Sequence, residues 1–243
     1  MQQSLMEKEV LIIKNIPSEG PGRIEDILNE CGIRYSIFDL SDNHSQLIIN
    51  QYGAVIILGG PDSANDDSHK IQAELALIRE ILNAKIPYLG ICLGLQTFVK
   101  AAGGEVVKNK IKEVGFRDQN GDYFEVELTK EGSSDSLFTG LGNSFRVFHL
   151  HGETVNITEN MILLATGKYC RNQIVKFGLN SYGIQFHFEL TSEILETWIK
   201  EDPDLLKIDA ERLRSDFEAI RYEYFQTGNL LFQNFLRIAG YLD

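Results

Sequence analysis

Basic residues are in short supply in this 243-residue chain: Lys and Arg number 23 against 35 Asp and Glu, a formal net charge of −12. A surface that acidic repels phosphate backbones and anionic headgroups, which argues against nucleic acid and the membrane surface as partners. Long apolar runs are also missing, and none approaches the roughly 20 residues that a membrane span needs. Residues 1–9 are polar and lack the basic-then-apolar pattern of a signal peptide. Cysteine is sparse, and its three copies, Cys31, Cys92 and Cys170, form an odd set at no metal-type spacing. That suits a reducing cytoplasm and not a disulfide framework. Repeats, low-complexity tracts and long linkers are absent as well. The economical expectation is a single domain over 1–243, with a core of about 10–199 and a helical extension of about 200–243. What remains is ordinary: 43% hydrophobic and 24% charged residues, enough at this length to bury a sizeable core.

The first hundred residues alternate strand and helix signals. Apolar runs at 10–16, 34–40, 54–58 and 87–91 are closed by Pro17, by polar residues, by Gly59-Gly60-Pro61 and by a glycine-flanked Cys92. Between them Ile24, Ile27 and Leu28, then Ile71, Leu75, Ile78 and Leu82, recur at helical spacing. Near-continuously apolar strands separated by helices predict an α/β fold, an open and mostly parallel central sheet with helices on both faces. From about 106 to 185 short strand signals (124–128, 146–148, 162–165, 174–177 and 182–186) alternate with Gly, Asn and Ser turns, adding antiparallel strands. From Thr191, a candidate N-cap, the pattern returns to helix: Ile194, Leu195, Trp198 and Ile199, then Leu213, Phe217, Ile220 and Tyr224, a helical C-terminal tail.

The sharpest signal is Gly90-Ile91-Cys92-Leu93-Gly94-Leu95-Gln96, placed where a buried strand should end and a helix begin. Glycines two before and two after a candidate nucleophile suit a tight strand-to-helix elbow, where bulkier side chains would clash. A Cys at a helix N-terminus has its thiolate favoured by the macrodipole and by unpaired backbone N–H groups. The bland alternative, an inert buried cysteine, is the better reading for Cys31 and Cys170. A cysteine nucleophile needs a base and the base an orienting group, and Gln185-Phe186-His187-Phe188-Glu189 offers both, since residues i and i+2 of an extended segment share a side. Taken alone, His-x-Glu also reads as a polar pair ending a strand. Gly59-Gly60-Pro61 taken alone reads as an ordinary β-turn; beside the elbow it could aim a backbone N–H which, with that of Leu93, makes a two-donor oxyanion hole.

Together these residues resemble the class I glutamine amidotransferases, which use a Cys-His-Glu triad. Lys112-Glu113-Val114-Gly115, Phe148-His149-Leu150-His151-Gly152-Glu153-Thr154 and Arg171-Asn172-Gln173 extend the resemblance toward that family's stand-alone, GMP-synthase-like branch. The resemblance implies Cys92 as nucleophile, His187 as general base and acid, Glu189 as its orienter, and Gly60 and Leu93 as oxyanion donors. Gln96 with Leu150, His151, Gly152 and the backbone to Glu153 would lie along a bound glutamine. Many members carry Pro between the triad His and Glu; Phe188 stands there in this chain, a change the pocket wall would feel, and Leu95 replaces a His common in other branches. The implied chemistry is acyl transfer without metal or organic cofactor. Neither a Gly-x4-Gly-Lys-Ser/Thr loop nor an S-G-G-x-D-S loop is present, so an acceptor site would come from a synthetase partner chain. The alternatives are a free γ-glutamyl hydrolase acting on peptides or conjugates, and a binding module that has lost activity. His149-Leu150-His151 could in principle join His187 and Glu189 in a metal site, but that would leave the elbow unexplained; two histidines alternating on a strand beside the cleft is the preferred reading.

Overall fold

Successive side chains of β1 (Glu9–Lys14) sort to opposite faces: Val10 and Ile12 enter one apolar core, Leu11 and Ile13 the other. A strand with both faces covered must be apolar throughout, and β3 (Tyr52–Ile57) and β4 (Tyr88–Ile91) are buried at every position. The structure is a computed structural model describing residues 8–41 and 47–243; the polar stretch 1–7, read above against a signal peptide, lies outside the described residues. With β2 (Tyr35–Asp39), β6 (Glu125–Leu128), β7 (Ser144–Arg146), β9 (Met161–Gly167), β10 (Ile174–Phe177) and β11 (Ser181–Ile184), these strands build a nine-stranded sheet of order β2-β1-β3-β4-β11-β10-β9-β6-β7. Pairing is parallel from β2 through β11 and antiparallel along the wing from β11 to β7.

Helices cover both faces. α1 (Arg23–Glu30), α4 (Ser192–Glu201) and the 29-residue α5 (Ala210–Ile238) pack their apolar stripes into the core that holds Val10 and Ile12. α2 (His69–Asn83) and α3 (Leu93–Ala101) pack into the core that holds Leu11 and Ile13. Side-chain oxygens accept from first-turn N–H groups where the sequence offers caps: Ser68 from Ile71 at 3.2 Å, Thr191 from Ile194 at 3.3 Å and Asp209 from Glu211 at 2.9 Å. Among the described residues no helix is long and apolar enough to cross a membrane. The fold is the expected α/β architecture with a helical tail.

Three local expectations are corrected. β11 stops at Ile184, so His187 and Glu189 stand on an irregular segment beyond it, joined to Phe148 by a single antiparallel bridge. The strand read at 146–148 does not form: Arg146 ends β7, Phe148 makes only the isolated bridge to His187, and β8 (His149–Asn156) begins after it. β8 leaves the main sheet and pairs with β5 (Glu105–Gly115), whose polar, Lys-rich middle hides a strand from periodicity. The ladder slips between Lys108 and Glu113, which sets Glu113 opposite His151 and Gly115 opposite His149.

Candidate functional site

Cys92 sits between β4 and α3 with φ 52° and ψ −103°, a left-handed backbone that a non-glycine residue adopts at a cost of order 1–3 kcal/mol. The flanking glycines make the bend sterically feasible. A β-carbon on Gly90 would lie 2.3 Å from the Gly94 carbonyl oxygen, and one on Gly94 would lie 2.4 Å from that of Ile57. The Cys92 N–H donates to Ile184 O at 2.7 Å, tying the elbow to β11. The sulfur is buried beside two polar neighbours: the Leu150 carbonyl at 3.8 Å and the Gln185 amide, whose Nε2 donates to it at 3.7 Å. Leu93 is the first residue of α3, so its N–H has no intrahelical acceptor.

The other half of the site is assembled from a distance. His187 Nδ1 lies 2.6 Å from Glu189 Oε1, both side chains almost wholly shielded from water. Trp198 of α4 crosses the imidazole edge-on with ring centroids 5.0 Å apart. The backbone is held from three sides: His187 N–H donates to Phe148 O at 3.1 Å, the Arg23 N–H at the start of α1 donates to Glu189 O at 3.0 Å, and the Tyr224 hydroxyl of α5 donates to His187 O. Burial opposes charge on His187, yet the Glu189 carboxylate and the Cys92 sulfur hold its pKa well above the ordinary imidazole value. With Nδ1 engaged by Glu189, Nε2 has no partner at hydrogen-bond geometry, and the Cys92 sulfur acts on the same ring.

Gly60 and Leu93 are brought together, since a β-carbon on Gly60 would meet Leu93 Cδ2 at 3.0 Å. A cleft of about 650 Å³ opens over Cys92 and His187, walled by Gly60, Gln96 and the run Leu150, His151, Gly152 and Glu153. Gln96 is buried and donates to Glu153 O at 3.3 Å. Phe188 turns away from this cleft: it is buried against Phe145, Phe186, Tyr224 and the backbone of α5 at Gly228. The pocket wall therefore does not feel it. Leu95 packs in the core against Gly183, as anticipated.

Glu19 was missed. Its Oε2 is shut off from water without a partner, 2.5 Å from where a Gly59 β-carbon would be, a point itself 3.2 Å from His187 Cε1 and 3.5 Å from Cys92 Cβ. Burial pushes its carboxyl up to about 7, a rise that His187 opposes and Glu189 and Asp202 reinforce. The available signal was Ser18-Glu19-Gly20-Pro21-Gly22, a turn at the carboxyl end of a parallel strand, where open α/β sheets bind ligands. His149 and His151 do alternate on a strand beside the cleft, but their rings meet Glu113 and not His187 with Glu189. Burial, with His151 and His187 nearby, keeps the His149 pKa well below the usual imidazole value.

The family model for class I glutamine amidotransferases matches residues 22–202. The glutamine amidotransferase-like protein YfeJ of Salmonella typhimurium is 28% identical over 76% of this chain and 77% of its own length. One subunit of the glutamine-hydrolysing GMP synthase from Methanosphaera stadtmanae is 30% identical over 74% of this chain and 88% of its own. The glutamine-hydrolysing GMP synthase of Borrelia garinii is 29% identical over 77% of this chain but only 33% of its own length, so the chain spans about a third of that relative. A glutamine amidotransferase crystal structure from Thermotoga maritima superposes with a TM-score of 0.83 at 28% identity, over 96% of this chain and 98% of that one.

Proposed function

Because this chain belongs to the class I glutamine amidotransferase family, we propose that it hydrolyses the side-chain amide of glutamine through a thioester on Cys92. The Cys92 sulfur attacks the amide carbon and its proton passes to His187. The tetrahedral oxyanion is held by the N–H groups of Gly60 and Leu93. As the carbon–nitrogen bond breaks, His187 protonates the departing ammonia. It then takes a proton from water, which attacks the thioester; glutamate leaves and the thiol is restored. Glu189 fixes the imidazole tautomer and stabilises its charged form, while Gln96 and the backbone from Leu150 to Glu153 lie along the substrate.

The observation that carries this reading is the His187–Glu189 contact of 2.6 Å combined with a free Nε2 and a left-handed Cys92. The test is glutamine turnover by the purified chain and by Cys92→Ala. The variant should keep its fold and lose activity by a factor on the order of 10³ or more; wild-type-like turnover by it would refute the assignment.

Released ammonia would serve an acceptor site on a synthetase partner chain, a division of labour in keeping with the subunit relationship named for the Methanosphaera relative. A second reading, a free hydrolase of γ-glutamyl conjugates, is favoured by the size of the cleft, about 650 Å³, which offers more room than glutamine alone fills. Rates on glutamine and on γ-glutamyl peptides separate the two. The whole chain acts as one domain in this proposal, because α5 supplies the hydroxyl that meets the triad histidine. A cytoplasmic setting accords with three unpaired cysteines.

A further inference from the structure

Glu113 of β5 and His149 and His151 of β8 are each almost wholly buried, and one ligand atom from each lies within 4.8 Å of the others. We infer that these three side chains form a binding site for a zinc-class divalent cation, separate from the Cys-His-Glu line.

The ladder slip makes the convergence, because it sets Glu113 directly across from His151 while His149, two residues earlier, shares that face. His151 Nδ1 meets the Glu153 carbonyl at 2.9 Å, the second contact that typically fixes a ligating histidine, and this leaves Nε2 as the nitrogen with a free lone pair. That nitrogen stands 3.0 Å from Glu113 Oε2, yet makes no aligned hydrogen bond with it. Two lone-pair atoms that close need a positive charge between them. A shared proton would draw the N–H into line with the oxygen, whereas two ligands of one cation each point at the cation and not at each other.

The spacing agrees. Ligands about 2.1 Å from a tetrahedral zinc stand about 3.4 Å apart; here His151 Nε2 lies 3.0 Å from Glu113 Oε2, and His149 Nε2 lies 3.8 Å from Oε1 of the same carboxylate. The Gln173 amide lies 3.5 Å from both Glu113 Oε2 and His149 Nε2, with its own oxygen unpartnered. Two imidazoles and one carboxylate form a borderline donor set, suited to zinc and unlike the all-oxygen cages of calcium or magnesium. A cation there would pin β8, whose Leu150 carbonyl touches the Cys92 sulfur and whose Glu153 carbonyl takes the Gln96 amide.

The test uses the full chain, stripped with chelator and then titrated with zinc and, separately, with cobalt. Cys92→Ser is run alongside to remove any thiolate site. The expected result is one equivalent retained after desalting by the wild type and by Cys92→Ser, with the visible absorption of tetrahedral cobalt but no sulfur-to-metal charge transfer. Zinc should raise Tm, and binding should weaken by about a hundredfold in Glu113→Gln and in His149→Asn. Absence of a retained equivalent in the wild type overturns the inference, as does binding that survives Glu113→Gln but vanishes with Cys92→Ser. A His151 imidazolium seen by NMR at neutral pH in zinc-saturated protein would put a proton where the cation is assigned, and overturns it too.

Discussion

The two halves of the candidate site are built in opposite ways. The elbow around Cys92 is specified within five residues: Gly90 and Gly94 remove side chains that would strike backbone, and β4 and α3 run directly into the bend. The segment carrying His187 and Glu189 has no regular secondary structure and takes its shape from Phe148, Arg23 of α1, Trp198 of α4 and Tyr224 of α5. A locally encoded feature fails outright when its sequence is altered. An assembled one degrades in steps as each support is removed, and some supports lie far along the chain.

That contrast is broken most severely at Gly94. A methyl group there would face the Ile57 carbonyl at 2.4 Å, backbone against backbone, with no flexible side chain to give way. Gly94→Ala is expected to cost on the order of 3–5 kcal/mol and to abolish activity with stability, read by urea unfolding. A stable, active Gly94→Ala would mean that the elbow is not locally determined. On the assembled half, Glu189→Gln should leave the fold in place and lower kcat by a factor on the order of 10³–10⁴, because an amide neither enforces the tautomer nor stabilises the imidazolium. Steady-state kinetics on folded protein decide it, and a loss below tenfold would remove Glu189 from the mechanism.

The same contrast explains what could be read before any coordinates. The parallel strands, the flanking helices, the Thr191 cap and the elbow announce themselves through local pattern: continuous apolar runs, helical spacing and paired glycines. His187 and Glu189 were legible only as companions to Cys92. Strand β5 was not legible, since Lys108, Asn109, Lys110 and Lys112 give its middle a loop-like polarity and its partner β8 lies more than thirty residues away. Glu19 escaped notice for a related reason, and Glu113 was legible only as part of the Lys112–Gly115 motif and not as a neighbour of His149 and His151. Each is one of 35 acidic residues, and only burial and converging neighbours distinguish it.

Glu19 sharpens the comparison through pH. Its carboxyl titrates near 7 in the fold against an ordinary 4.5, so the folded state holds a proton that the unfolded state releases. The stability this contributes is present below about pH 4.5 and is lost as pH rises through 7. Relative to Glu19→Gln, the wild type should lose on the order of 2–3 kcal/mol of unfolding free energy between about pH 5 and about pH 8. The Glu74 carboxyl, also raised to about 7, is common to both proteins and cancels. Parallel stability curves would show that Glu19 is already ionised in the folded protein.

The mildest perturbation is Tyr224→Phe, and it tests how far the assembled half depends on the tail. The hydroxyl lies in a fully buried aromatic cluster and donates to the His187 carbonyl; the ring itself packs on Phe188 with centroids 5.0 Å apart. Removing the oxygen alone keeps that packing and leaves one buried acceptor without its donor, at a cost of about 1–3 kcal/mol. If the tail only fills the core, kcat should hold while stability falls. If it fixes the backbone that presents the imidazole, kcat should drop by about three- to tenfold at unchanged KM, because the histidine shifts against the sulfur while the walls that grip the substrate stay in place. The second outcome is expected, since His187 has no regular strand beneath it to hold its carbonyl in place.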